Sequence, residues 1–158
     1  MDRRLQPPSL VVWSVRLKNI LPRDEHVWFL IAEAARLEPS GKASLLGFFG
    51  GERIQIADYA TLPSGFPLTF VFVLREGVGC FEGAFQIRDP LGELVYNEAL
   101  APVIKRSPVE NHGIAINLRP FPVTAFGTYR VALILDGKRY KRSLQIDADA
   151  PSSSFMVQ

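Results

Sequence analysis

The stretch TYRVALILDGKRYKRSLQI, residues 128–146, gives the clearest indication of the fold. Two strand-length runs flank the pair Asp136-Gly137. An Asp-Gly pair tolerates the positive φ angles of the primed two-residue turns, and the twist of those turns matches that of two antiparallel strands. The stretch therefore predicts a β-hairpin.

A second hairpin is predicted for residues 27–49. The run VWFLIAEAARL is apolar on both faces, which is typical of a strand covered on both sides or of a buried helix. The turn sequence Pro39-Ser40-Gly41-Lys42 follows, and then ASLLGFF, another apolar run of strand length. This order favours a hairpin over a helix. Gly47, inside the second run, indicates a bulge or a close backbone approach.

Alternation of apolar and polar residues predicts further strands. The residues expected on inner faces are Leu68, Phe70, Phe72 and Leu74, then Phe81, Phe85 and Ile87, and then Ile114, Ile116 and Leu118. Asp89-Pro90-Leu91-Gly92 is predicted to be a turn, because proline presets its φ angle and glycine tolerates a positive one. About eight strands separated by turns predict an all-β fold, an antiparallel β-sandwich.

The start of the penultimate strand refines this prediction. Gly127-Thr128-Tyr129 resembles the corner tyrosine of immunoglobulin-like sandwiches. The paired cysteines and central tryptophan of antibody domains are missing, so the immunoglobulin-like character is predicted for the architecture alone.

The chain divides into three predicted segments. Residues 1–23 form an N-terminal extension whose apolar spacing fits a strand or a helix. Residues 24–148 form the sandwich domain. Residues 149–158 form a small, polar C-terminal tail that is expected to be mobile.

Length and composition indicate one globular domain. The chain has 158 residues, of which 47% are hydrophobic and 22% are charged. No run approaches the roughly 18 apolar residues of a membrane helix, and no secretory signal is recognisable. The single cysteine, Cys80, excludes an intrachain disulfide, which favours a reducing, cytoplasmic location.

Two stretches resemble a known family. IAEAARLEPSGKASLLGFF is similar to the first hairpin, and GTYRVALILDG to the closing hairpin, of an uncharacterised bacterial family of small β-sandwich proteins. The resemblance covers about His26 to Ile146 and rests on turn placement and apolar rhythm. The resemblance implies a small β-sandwich fold. The family, a domain of unknown function, has no known activity or site residues that could be transferred.

Catalytic and metal chemistry find little support. Cys80 and His112 are candidates for a catalytic pair, but a buried structural cysteine and a loop histidine are the favoured interpretation. The sequence RDEH, residues 23–26, offers His26 and two carboxylates without a partner cluster, so no metal site is predicted. FFGGERI lacks the lysine, hydroxyl and helix of a phosphate loop and is read as a bend. Neither an enzyme nor a cofactor is predicted.

Charge is distributed unevenly. Residues 101–146 contain eight basic and two acidic residues, a local charge of +6 in a chain of net charge +2. Within them, Lys138, Tyr140 and Arg142 share one face of a strand, and Arg139 and Lys141 share the other. These five residues are the candidate anion-binding site, with Tyr140 as a stacking surface. The favoured alternative is that the charges protect the open edge of the last strand.

These observations predict a non-enzymatic interaction module. Its partner is expected to be a protein, including a second copy of the chain, bound through a sheet edge or face. The alternatives are an anion or nucleic-acid binder that uses the basic last strand, and a small-ligand carrier that uses the interior. Nucleic acid is the less favoured partner, and no membrane association is expected.

Overall fold

In the computed structural model, which describes residues 18–40, 42–56 and 64–148, strands make up most of the chain. A single turn of 3₁₀ helix, Asp24–His26, precedes the first strand. The strands are β1 (Val27–Leu37), β2 (Ala43–Phe49), β3 (Arg53–Ile56), β4 (Ser64–Leu74), β5 (Gly79–Arg88), β6 (Leu94–Lys105), β7 (His112–Val123), β8 (Gly127–Leu135) and β9 (Lys138–Ala148). No helix in these ranges is long and apolar enough to cross a membrane.

The strands form two sheets. One has four strands in the order β2-β1-β4-β7, and the other has five in the order β3-β9-β8-β5-β6. All neighbours are antiparallel except β3 and β9, which run parallel from Arg53 opposite Gln145 to Ile56 opposite Ala148. The prediction of an all-β fold is confirmed. The structure differs from the purely antiparallel prediction because β3, a short ninth strand, reaches the second sheet by a crossover from β2.

Aromatic rings join the two sheets. Phe70 of β4 lies 5.5 Å from Phe85 of β5, measured between ring centroids, and Phe121 of β7 lies 5.3 Å from Tyr129 of β8. All four residues are fully buried. Edge-to-face and tilted contacts at this spacing are favourable for aromatic pairs. The apolar core therefore lies between the inner faces of the sheets.

The alternation predicted from sequence is confirmed in β4, β5 and β7. The inner-face residues of these strands are all at most 4% exposed: Leu68, Phe70, Phe72, Leu74, Phe81, Phe85, Ile87, Ile116 and Leu118, with only Ile114 partly exposed. Between them, β5 and β7 carry exposed residues such as Glu82 and Asn117, whereas Thr69 and Val71 of β4 are buried too, so β4 is covered on both faces. The helix left open for residues 27–37 is not formed, because β1 pairs with both β2 and β4.

The turns follow their residue chemistry. Asp136 and Gly137 both have positive φ, at 45° and 82°, and they close the β8–β9 hairpin with Leu135 opposite Lys138. This is the dihedral signature of a primed turn. In the turn after β5, Asp89 Oδ1 accepts hydrogen bonds from the amides of Leu91 and Glu93.

Gly47 is not a bulge. The β1–β2 register continues unchanged from Leu46 to Phe48, which face Ala34 and Ala32. The φ of Gly47 is +59°, and a Cβ there would lie 2.6 Å from the side chain of Glu33. The positive φ therefore explains the glycine first, and a side chain at this position would in addition displace that of Glu33.

Tyr129 ties the start of β8 to the preceding turn. Its hydroxyl accepts hydrogen bonds from the amides of Thr124 (2.9 Å) and Ala125 (3.1 Å) and donates one to the carbonyl of Ala125 (2.8 Å). The ring is fully buried. These three hydrogen bonds hold the ring against the turn between β7 and β8, and the corner role itself stays a prediction. The secondary structure predicted for most of the extension and the mobility of residues 149–158 lie outside the described residues.

We expect Tyr129→Phe to lower the free energy of unfolding by about 1–3 kcal/mol, because two partly buried amides and a carbonyl lose their partner. Urea denaturation monitored by fluorescence measures this change. Tyr96→Phe is the matched control, because the Tyr96 hydroxyl bonds a single exposed group, the carboxylate of Glu98. An equal loss in both variants would contradict the corner role.

Candidate functional site

The candidate anion-binding strand divides into two groups. Tyr140 is fully buried, and its hydroxyl donates a 2.7 Å hydrogen bond to the carbonyl of Pro22. Burial raises the pKa of Tyr140 to about 12, and the carboxylates of Asp24 and Glu76 add to the shift. The predicted stacking role of Tyr140 is therefore wrong: the ring belongs to the core and presents no face to a ligand.

Lys138 and Arg142 bind the chain itself. Lys138 Nζ donates to the same Pro22 carbonyl at 2.7 Å. Arg142 contacts the Asp24 carboxylate at 3.2 Å and donates to the carbonyl of Val27 at 2.6 Å. Both side chains thus hold the segment that leads into β1. Because these contacts occupy their charged groups, the same groups would have to leave the chain to bind an external anion.

Arg139 and Lys141 lie on the opposite side of β9, on the outer face of the five-stranded sheet, and both are exposed. Arg139 donates a 2.9 Å hydrogen bond to Gln86 Oε1 on β5. In the described part of the chain, β9 has a strand beyond it only at Gln145–Ala148, where β3 pairs. The basic half of β9 is therefore an open edge, as the edge-protection interpretation assumes.

Sequence reasoning missed two cations beside this pair. Arg130 on β8 and Arg88 on β5 face each other directly in the β5–β8 register. Both line the same surface groove as Arg139 and Lys141. Alternation places each arginine on the outer face of its own strand. Their adjacency follows only from the order of the strands, because 42 positions separate them in sequence.

The segment before β1 is anchored a second time. Glu76 accepts hydrogen bonds from the backbone amide (2.7 Å) and from Nε (3.0 Å) of Arg23. These bonds, led by the one from the side chain, lower the pKa of Glu76 to about 2. Further along, Asn19 bonds the backbone of Cys80 through both ends of its amide. Residues 19–23, assigned to the extension by sequence, thus contact the sandwich directly.

The catalytic candidates are on different sheets. Cys80, near the start of β5, is exposed, which corrects the expectation of a buried cysteine. His112 is the first residue of β7, not a loop residue; burial lowers its pKa, and the positive charge of Lys105 lowers it further. Lys105 is itself buried and donates to the carbonyl of Ser107 at 2.5 Å. Within the described residues, no hydrogen bond links Cys80 to a histidine.

The glycine pair after β2 forms a bend. Gly50 and Gly51 lead from the four-stranded sheet to β3 in the other sheet, and a Cβ at either position would meet nothing within 4 Å. Because the space around both positions is open, the close approach of another group does not explain why these two residues are glycines.

The predicted absence of a metal site concerns His26 and its acidic neighbours. The Nε2 atom of His26 lies 3.9 Å from the carboxylate of Glu76. No group of three or more metal-ligating side chains occurs in the described ranges.

The edges of the two sheets differ in how they are protected. β7 carries Pro120, Pro122 and Arg119, and β6 carries Pro102 and Glu98. β3 has only four residues. Short length, proline and charge are the devices that keep sheet edges from pairing with other chains. β2 has seven residues and contains neither a charged residue nor a proline.

Comparison with known proteins gives no assignment. A scan against protein-family models found no match, and a search of curated proteins found none either. The resemblance to small bacterial β-sandwich proteins therefore stays a prediction.

The Arg23–Glu76 contact predicts a pH dependence. The pKa of Glu76 is about 2 in the folded chain, against an ordinary value of 4.5. Its stabilising contribution is therefore complete above pH 4.5 and is lost as the pH falls towards about 2. We expect Glu76→Gln to be less stable than wild type at neutral pH and to lose less stability on acidification.

Urea denaturation at several pH values measures this difference. Glu93→Gln, which removes an exposed carboxylate on the β5–β6 turn, is the control and should follow the wild-type acid dependence. Identical acid dependence of wild type and Glu76→Gln would contradict the assignment.

Proposed function

We propose that the protein is a non-enzymatic interaction module that binds a protein partner by strand addition at β2. The observation that carries this proposal is the contrast between the sheet edges: β2 alone among the four outermost strands in the described ranges combines length with the absence of charge and proline, and the open half of β9 is charged. An edge strand exposes a row of backbone donors and acceptors to a partner. An edge strand without protective residues is therefore suited to pairing with a strand of a partner.

The surface beside β2 supports the same proposal. Leu46 and Phe48 project from β2, and Trp28 from β1; they are 41%, 55% and 49% exposed. Leu46 and Phe48 face Ala34 and Ala32 across the β1–β2 pair, so they lie next to the open edge. The guanidinium of Arg75 lies 4.3 Å from the Trp28 ring centre, which is a cation–π contact. A strand added at β2 would cover large apolar side chains as well as backbone groups.

The partner we propose is a second copy of the chain. An uncharged strand can pair with a copy of itself without placing like charges opposite each other, and a second copy of the chain supplies such a strand. Two copies of β2 related by a two-fold axis at Leu46 bring Leu46 opposite Leu46 and Phe48 opposite Ser44 of the other copy. The resulting interface is isologous, and its sheet continues from one copy to the next.

The other sequence-based functions have less support. A carrier needs enclosed space, whereas aromatic rings of the two sheets are in contact across the core. A binder of nucleic acid that stacks bases on Tyr140 is not compatible with the burial of that ring. An enzymatic role finds no cluster of candidate groups within the described residues.

We expect the wild-type chain to self-associate, with a dimer that dissociates on dilution. Leu46→Lys should shift the chain to monomer, because charge on the open edge opposes pairing. Sedimentation velocity over a range of protein concentrations measures both. Circular dichroism should report an unchanged strand content, since Leu46 lies outside the core.

Ile104→Lys is the matched control. Ile104 is 51% exposed and lies on the edge strand β6 of the other sheet, so the same change of charge falls on a different edge. We expect this variant to dimerise like wild type. A wild-type chain that is monomeric at every concentration, or a Leu46→Lys chain that still dimerises, would overturn the proposed pairing.

A further inference from the structure

Four cationic side chains converge on the outer face of the five-stranded sheet. The β5–β8 register places Arg88 opposite Arg130, and the β8–β9 register places Ala132 opposite Lys141 and Ile134 opposite Arg139. Neighbouring strands are about 4.8 Å apart, and residues two positions apart on one strand are about 6.8 Å apart. The four cations therefore surround Ala132 within a small area. We call these residues, Arg88, Arg130, Arg139 and Lys141, the basic groove.

The basic groove carries an electrostatic cost. Like charges directly opposite each other on paired strands are destabilising, and Arg88 and Arg130 are such a pair. None of the four cations has a carboxylate within 4.0 Å among the described residues, whereas Arg53 and Arg142 each have one and Arg23 has two. Other described cations, such as Arg36 and Arg119, also lack a carboxylate partner, so these four are distinguished by lying together on one face of the sheet.

The surface at this place is concave. Ala132 and the backbone of Val131 form the floor of a groove of about 380 Å³. Gln86 closes one side, and its side-chain oxygen holds Arg139 across the floor. A volume of this size is at the lower end of the range for small-molecule sites. The small side chain of Ala132 therefore leaves room for a compact group between the four cations.

We propose that the basic groove is a binding site for a compact anion that bears phosphate groups. Guanidinium groups bind phosphate oxygens through paired, charge-assisted hydrogen bonds, and a lysine ammonium adds a point charge. Arg88 Nη1 already donates to the carbonyl of Gly92 at 3.0 Å, and its remaining donors clamp one phosphate together with Arg130 on the adjacent strand. Lys141 and the remaining donors of Arg139 bind a second phosphate on the β9 side. The bound anion removes the repulsion between Arg88 and Arg130. The inference is independent of pairing at β2, which lies on the other sheet.

Carboxylates at both ends favour a compact ligand over a nucleic-acid strand. Towards β3, the carboxylate of Glu52 accepts a hydrogen bond from Ser143, which is the cross-strand neighbour of Arg130. Towards the other end of β5, the exposed Glu82 lies on the same face as Gln86. A polyanion that continued past the groove would meet these charges. The residues that line the groove also include no aromatic side chain on which a base could stack.

Isothermal titration calorimetry with inorganic pyrophosphate at low salt tests the site. We expect saturable binding to wild type, and affinity lower by about tenfold to a hundredfold in Arg88→Gln and in Arg130→Gln, because each loses charge-assisted hydrogen bonds. Pyrophosphate should also raise the wild-type unfolding temperature. Without pyrophosphate, both variants should be at least as stable as wild type, since the like-charge pair is gone.

Arg36→Gln is the matched control, because Arg36 is an exposed arginine on β1 of the other sheet. It should bind pyrophosphate like wild type. No detectable wild-type binding, or equal affinity in Arg36→Gln and the groove variants, would overturn the site. A single-stranded oligonucleotide that binds more tightly than pyrophosphate, with a steep salt dependence, would overturn the compact ligand in favour of nucleic acid.

Discussion

The contact between the inner faces of the two sheets is the constraint on which the rest of the structure depends. A sheet with one apolar face has to bury that face against another element, and here each sheet supplies the cover for the other. The aromatic pairs Phe70–Phe85 and Phe121–Tyr129 connect the central strands β4 and β5 and the strands β7 and β8. Because this packing fixes which side of every strand faces inward, it also determines which residues are presented on the two outer faces.

The segment before β1 is held by side chains that sequence reasoning assigned to ligand binding. Lys138 and Tyr140 both bond the carbonyl of Pro22, and Arg142 reaches Asp24 and Val27. These groups satisfy backbone acceptors that would otherwise lie beside the core without partners. The inward-facing half of the basic strand therefore has a structural role, and only Arg139 and Lys141 are directed away from the sandwich.

The sequence alone predicted features that depend on residues close together in the chain. It did not predict features in which distant segments of the chain meet in the fold. Alternation and turn chemistry identified the buried residues of β4 and β5 and the Asp136-Gly137 hairpin. In β9, alternation correctly grouped Lys138 with Tyr140, but it could not tell which side of the strand faced the core, because cations lie on both. The parallel pairing of β3 with β9 and the Arg88–Arg130 neighbours both require the strand order, which local patterns do not contain.

Both proposed binding surfaces are places where the sequence departs from what stability and solubility alone would favour. An uncharged edge such as β2 invites association, and a pair of facing arginines weakens the sheet that contains it. Elsewhere in the described ranges the same chain uses proline on β6 and β7, and the strand registers place no other two cations directly opposite each other. Local departures from otherwise consistent choices are expected at functional sites. The β2 edge favours an apolar strand as its partner, and the basic groove favours an anion. Because the two surfaces lie on different sheets, a partner at β2 leaves the basic groove accessible.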